Sequence, residues 1–199
     1  MLTPATHPSR TVQTSCAQRV LGRVAGRDGS GILDGMDLNR EYTYDASPAE
    51  VFAMFTDRAF VERRLTATGS TASTVDLAPD GDGVRITTHR VLPPKVPDFV
   101  RKFVGDQIDL DEVEHWGPAD AAGNRTGTVE VSISGAPVKL RAATALSATS
   151  TGTSYTVVGT VKASVPLVGR KIEDATAPAV TGALDKEAQV GRDWLAGKR

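Results

Sequence analysis

From Met36 onward, apolar and polar positions alternate in short runs, and only near the C-terminus does the period lengthen to that of a helix. Asp37 to Asp45 sets Leu38, Arg40, Tyr42 and Tyr44 against Asn39, Glu41 and Thr43, the pattern of a first strand. Ser70 to Leu77 and Gly83 to Leu92 flank Pro79-Asp80-Gly81-Asp82, a strong turn signal. In the second of these, Val84, Ile86 and Thr88 share a face that Arg90 continues. Ile108 to Trp116 is the next strand, with an ambiguous register. Leu110 and Trp116 share parity with Glu112 and Glu114, while Val113 has the other parity. Thr128 to Ser134, Val138 to Leu146 and Tyr155 to Val165 complete a set of seven, separated by Ala136-Pro137 and Ser150-Thr151-Gly152.

Three short helices interrupt the strands. Ser47-Pro48-Ala49-Glu50 is a capping box with proline at the first helical position, followed by Val51, Phe52, Met54 and Phe55. A second helix is expected from Arg58 to Leu65, entered through Thr56-Asp57. Pro93-Pro94-Lys95-Val96-Pro97 then breaks a strand, and Asp98 is placed to cap a helix that ends at Gly105. Its Phe99, Val100, Phe103 and Val104 lie on one face, either as packing on the core edge or as a lid over a cavity mouth.

Pro166 to Trp194 reads as one long helix, roughly 45 Å at ~1.5 Å per residue. Its apolar positions are Val168, Ile172, Ala175, Ala179, Ala183, Leu184, Val190, Trp194 and Leu195, at spacings of three and four. A lone helix is marginal by propensity, so this one needs an apolar surface such as a curved antiparallel sheet. The middle of the stripe is mostly alanine, with Gly182 beside it, and Pro178 predicts a bend. Such small residues either permit close packing or leave space behind them.

At 199 residues the chain fits one domain plus a tail. Residues 1–35, rich in Thr, Ser, Gly, Pro and Arg, are expected to form a disordered or loosely docked extension, with a short helix from Cys16 to Val24 at most. Residues 36–199 form the expected domain. The formal charge of -1 argues against a nucleic-acid partner. One cysteine, Cys16, rules out an internal disulfide framework. No apolar run approaches the ~18 residues of a membrane span, and no secretory signal is present, so a cytoplasmic protein is expected.

The order of strand, two short helices, six strands and a long C-terminal helix resembles the helix-grip fold. START-type lipid-transfer domains, the birch-pollen-allergen family and polyketide cyclases share it within the SRPBCC superfamily. Asp37-Leu-Asn-Arg-Glu-Tyr-Thr-Tyr-Asp-Ala-Ser-Pro48-Ala-Glu-Val-Phe52 and Val165-Pro-Leu-Val-Gly169-Arg-Lys-Ile-Glu173 are more narrowly similar to an actinobacterial family of unknown function in that superfamily. The resemblance implies an α+β class, with a curved seven-stranded antiparallel sheet wrapped on the last helix and an apolar cavity between them.

Inward positions rich in Val, Ile, Leu, Ala and Thr would line such a cavity without filling it, and pockets of roughly 300–1,000 Å³ suit a lipid, sterol, quinone or polyketide-like molecule. The candidate lining is Phe52, Phe55, Ile86, Val131, Leu140, Val157, Ile172, Ala175 and Ala179, with Phe99 and Phe103 at the mouth. Arg90 shares parity with Ile86, and Tyr155 is a hydrogen-bond donor for a ligand carbonyl. A buried glutamate beside Arg90 would have a shifted pKa and could move protons. The more ordinary reading pairs Arg90 with a glutamate on the solvent face.

His7, His89 and His115 are too dispersed for a metal site, and no cofactor motif occurs. Binding or carriage of a hydrophobic small molecule without catalysis is therefore the leading expectation. A cyclase- or hydrolase-like enzyme on the same fold, or a protein–protein adaptor, are the alternatives. A transient membrane or protein partner remains open. An enzyme requires convergent polar groups inside the cavity, and an adaptor requires a filled interior.

Overall fold

The computed structural model describes residues 35–198. The expected N-terminal extension, with its Cys16–Val24 helix, lies outside the described residues. The elements are β1 (Met36–Tyr44), α1 (Pro48–Phe55), α2 (Arg58–Ala67), β2 (Ala72–Asp80), β3 (Gly83–Leu92), α3 (Asp98–Val104), β4 (Ile108–Trp116), β5 (Arg125–Ile133), β6 (Val138–Ala148), β7 (Thr153–Ala163) and α4 (Gly169–Leu195).

All strands join one antiparallel sheet in the order β1-β7-β6-β5-β4-β3-β2. From β2 to β7 the chain runs as a meander, and β1 then pairs with β7, so β1 and β2 are the two edges. Helices α1 and α2 connect those edges. Asp80 pairs with Gly83 across a two-residue turn in which Gly81 has a φ of 59°. That left-handed turn matches the twist of a hairpin.

Continuous register fixes which side chains share a face. One row crosses the sheet as Leu38, Gly159, Ala142, Val129, Glu114, Ile86 and Leu77; the next runs Met36, Val161, Leu140, Val131, Glu112, Thr88 and Val75. The ambiguous strand β4 is thus resolved: Ile108, Glu112, Glu114 and Trp116 are buried, while Asp111 and His115 are exposed.

Helix α1 starts as its capping box dictates, with the Glu50 amide donating to Ser47 Oγ and the Ser47 amide donating to Glu50. Asp57 caps α2 by accepting from the Ala59 and Phe60 amides. Asp98 does not cap α3. Pro97 holds the N-cap position and makes no side-chain bond, and Asp98 instead places its charge at the first helical residue, where the helix dipole favours it. Helix α4 runs unbroken through Pro178 but begins at Gly169, three residues later than expected. Leu167 delays it: this residue has a left-handed φ of 67° and is fully exposed.

Three apolar clusters join α4 to the sheet: Leu38, Ala142 and Val157 meet Val180 and Leu184 midway, and two larger clusters lie toward opposite ends. One is aromatic, with Tyr44, Phe55, Phe60 and Trp116 packed around Val51, Met54, Val61, Leu65 and Val190. Phe55 is its hub: its ring meets Tyr155 edge-on at 5.0 Å and lies 6.0 Å from Phe60. The other cluster joins Val100 of α3 to Val138, Val161, Ala163 and Ile172. At the aromatic end Gly191 allows α4 to approach closely, because a Cβ there would lie 2.9 Å from the Tyr44 ring. Gly182, further back along the helix, meets nothing within 4 Å.

Candidate functional site

Between the two larger clusters the interior is not filled. A cavity of about 350 Å³ lies between the inner sheet face, α3 and α4. Leu38, Leu140, Val157 and Val161 line its sheet side, Val100 and Val104 its α3 side, and Ile172, Ala179, Val180, Ala183 and Leu184 its α4 side. The alanine stretch is where α4 leaves room: Ala179 and Ala183 present only methyl groups to the cavity.

One wall is charged. Arg64 of α2, Arg90 of β3, Glu112 and Glu114 of β4 and Glu187 of α4 all line the same cavity. Arg64 contacts three carboxylates: it donates to Glu114 in a close contact and to Glu112 at 3.4 Å, and lies 3.7 Å from Glu187. Arg90 donates to Glu112 at 3.3 Å and to Thr68 Oγ1 at 3.1 Å, and lies 3.8 Å from Glu187. Trp116 Nε1 donates to Glu114 at 3.2 Å. Arg90 faces Leu110 across the β3–β4 ladder, so its contact with Glu112 is the diagonal one.

Burial sets the protonation of this wall. It pushes the Glu112 carboxyl up to about 7; Arg90 and Arg64 pull it back, and Glu114 and Glu187 push it further. Burial also acts upward on Glu114, but the charge of Arg64 and the hydrogen bonds from Arg64 and Trp116 outweigh it, so this carboxyl lies below its ordinary range. Arg64 is raised well above its ordinary value: its burial acts downward but is overcome by Glu114, Glu187 and Glu112. The Tyr155 hydroxyl is held protonated, chiefly by burial and next by Glu114. One wall thus carries a carboxyl that is half protonated near neutral pH beside one that stays ionised.

The expected site residues divide. Arg90, Val131, Leu140, Tyr155, Val157, Ile172 and Ala179 line the cavity. Phe52, Phe55 and Ile86 do not; they belong to the aromatic cluster, where the rings fill space. Phe99, Phe103 and Ala175 pack in the second cluster, and α3 reaches the cavity through Val100 and Val104 instead. Phe99 lies under Lys171, whose Nζ is 4.8 Å from the ring centroid. The Arg90–glutamate pair is not on the solvent face: Arg90 and Glu112 are 7% and 8% exposed.

Sequence reasoning passed over Arg64 and Glu187. Both carried a signal. Arg64 follows Phe60 and Val61 at helical spacing and precedes Leu65, so it belongs to the buried face of α2. Glu187 follows Ala183 and Leu184 and precedes Val190 and Gly191 on the same side of α4. Among the described residues no three His, Cys, Asp or Glu side chains are grouped to hold a metal ion, and no helix is long and apolar enough to cross a membrane.

A seven-stranded antiparallel sheet packed against one long C-terminal helix, with two short helices linking its edge strands, is the helix-grip fold. The protein TTHA0849 from Thermus thermophilus shares it with a TM-score of 0.53 and 15% identity, over 82% of this chain and 100% of that one. The STAR-related lipid transfer protein fragment 25–204 from Xanthomonas axonopodis has a TM-score of 0.50 and 15% identity, over 82% and 90%. Norcoclaurine synthase from Thalictrum flavum has a TM-score of 0.50 and 14% identity, over 86% and 95%. At these identities the likeness is one of fold. Within that fold, the chain belongs to the family described as "Protein of unknown function (DUF2505)", whose sequence model matches residues 40–195. No curated protein sequence matches it.

Proposed function

We propose that this protein binds and carries a hydrophobic small molecule in the cavity between sheet and helix. The observation that carries the proposal is the unfilled, mostly aliphatic space of about 350 Å³ behind Ala179 and Ala183. A cavity of ~150 Å³ accepts benzene; by proportion, this one suits roughly fourteen non-hydrogen atoms. The unfilled interior counts against the adaptor alternative. One protein of the same fold, whose name denotes lipid transfer, supports the carrier class, though only by analogy.

Convergent polar groups favour an enzyme as the second reading. Glu112, titrating near neutral pH inside the cavity, has the property of a general acid or base. Glu112 is hydrogen-bonded to Arg64 and Arg90, and the nearby hydroxyl of Thr68 is bonded to Arg90 rather than to Glu112, which keeps carriage first.

Native mass spectrometry of the protein, purified without denaturation, tests carriage. A retained small molecule is expected, and Ala183→Phe, which puts a ring into the space, should release it. The neutral dye 1-naphthylamine, small enough for the space, should brighten with the wild-type protein and not with the variant. An unliganded mass together with no dye uptake would overturn the carrier reading.

A further inference from the structure

The charged wall has an odd count. Within the buried wall two guanidiniums, Arg64 and Arg90, stand against three carboxylates, Glu112, Glu114 and Glu187; the one further charged residue of the cavity lining, Lys95, is exposed and makes no ion pair with them. The cations are already shared: Glu112 and Glu187 each contact both arginines, and Glu114 has Arg64 and the Trp116 N–H. One negative charge is left over where water is scarce, an arrangement that is costly unless something neutralises it. A proton on one carboxylate does so, and so would a cation delivered by the ligand.

Among the three carboxylates Glu187 is the one with capacity to spare, while the Nε–H groups of Arg64 and Arg90 are buried without a partner. Its side chain is 17% exposed, against 10% for Glu112 and 3% for Glu114. Its two ion-pair contacts are long, at 3.7 and 3.8 Å, and an ionised carboxylate has about four acceptor positions. At this wall an anionic head group would add a fourth negative charge to two positive ones; only at the exposed Lys95, away from the wall, would it meet an unshared cation. A neutral head group would leave the imbalance as it was.

We infer that the molecule held in this cavity is an amphipathic amine, with its aliphatic body between sheet and α4 and its protonated nitrogen against Glu187 and Glu112. This rests on the cavity-binding reading above and gives it a ligand class. The ammonium takes the place of the proton on Glu112, so binding expels that proton. The groups that face Glu112 are Arg90 from β3, Arg64 from α2, Glu187 from α4 and Glu114 from its own strand, with the protonated Tyr155 of β7 nearby. With Glu112 at about 7, cation affinity should fall roughly tenfold between pH 8 and pH 6.

Three probes of one chain length separate the ligand classes: dodecylamine, dodecanol and dodecanoate, each displacing 1-naphthylamine below its micelle concentration. At pH 8 the amine should bind at least tenfold tighter than the alcohol and tighter still than the carboxylate. Its preference should shrink about tenfold at pH 6. Glu112→Gln should remove the pH dependence, and Glu187→Gln should reduce the preference for amine below threefold; a cooperative melt of each variant verifies its fold. Equal binding of alcohol and amine, tightest binding of dodecanoate, or a preference that survives Glu187→Gln would overturn the proposal and leave carriage standing. If no probe displaces the dye while the purified protein retains another molecule, the amine class is wrong. If nothing is retained or taken up at all, carriage fails with it.

Discussion

Replacing Glu112 by glutamine isolates the energetic consequence of burying a third acid beside two arginines. Glutamine has the shape and neutrality of the protonated carboxyl, so the variant mimics the state that the fold prefers. In the folded chain Glu112 is raised from 4.5 to about 7; unfolded, it returns to the ordinary value. The sign follows from linkage. Below pH 4.5 both states hold the proton and the acid carries no penalty. Between 4.5 and 7 the unfolded chain releases its proton while the folded chain keeps it, so stability falls as pH rises. Above 7 the loss is complete. At about 1.4 kcal/mol per pH unit, that interval amounts to about 3 kcal/mol.

The variant should therefore be more stable than wild type by about 3 kcal/mol at pH 8, and the gap should close to under about 1 kcal/mol at pH 5. Urea unfolding monitored by tryptophan fluorescence at half-unit steps from pH 5 to 8 measures it, since Trp116 lies in the aromatic cluster next to the charged wall. Parallel curves for the two proteins would refute the reasoning: Glu112 would then be no harder to ionise folded than unfolded. A variant less stable at pH 8 would show that Arg90 and Arg64 hold the ionised form, contrary to the direction assigned to Glu112.

Two glycines of α4 make a matched pair. Gly182→Ala has open space around its new methyl and should stabilise by about 1 kcal/mol through helix propensity. Gly191→Ala meets Tyr44 at 2.9 Å and Met54 at 3.2 Å, so overpacking of about 1–3 kcal/mol should exceed the same gain; thermal melts that rank the two variants the other way would remove the close-approach role of Gly191. Leu167→Gly relieves a left-handed conformation that costs about 1–2 kcal/mol and gives back about 0.5–1 kcal/mol in chain entropy. A small rise in Tm is expected because the leucine buries nothing, and a loss above about 1 kcal/mol would contradict it.

The fold was legible because its signals were local. Alternation fixed seven strands to within a few residues, the box at Ser47 and Glu50 placed α1, and the stripe from Ile172 to Trp194 placed α4. The cavity followed from one physical feature, the alanine run at Ala175, Ala179 and Ala183, although only the last two face it. The aromatic residues misled. Size and hydrophobicity point to large apolar side chains as lining, yet Phe52 and Phe55 are the filling at one end, and their rings pack on Trp116 and Tyr155. A cavity persists where side chains are small or stop short, so its lining is found at alanine and valine positions rather than at phenylalanine.

The charged wall was half legible for a different reason. Parity alone put Arg90, Glu112 and Glu114 on one face of adjacent strands, but parity does not say which face is wet. The deciding partners came from helices: Arg64 and Glu187 sit within apolar stripes of α2 and α4 and bring opposite charge to the same place. Each of these five residues would be a poor choice for an interior taken singly. Together they share three hydrogen bonds, leave the Nε–H groups of Arg64 and Arg90 buried without a partner, and remain one positive charge short. A single strand pattern cannot express that condition, because the residues are drawn from four separate elements. A charged residue recurring within the buried stripe of two different helices is therefore the pattern from which such an interior wall can be read.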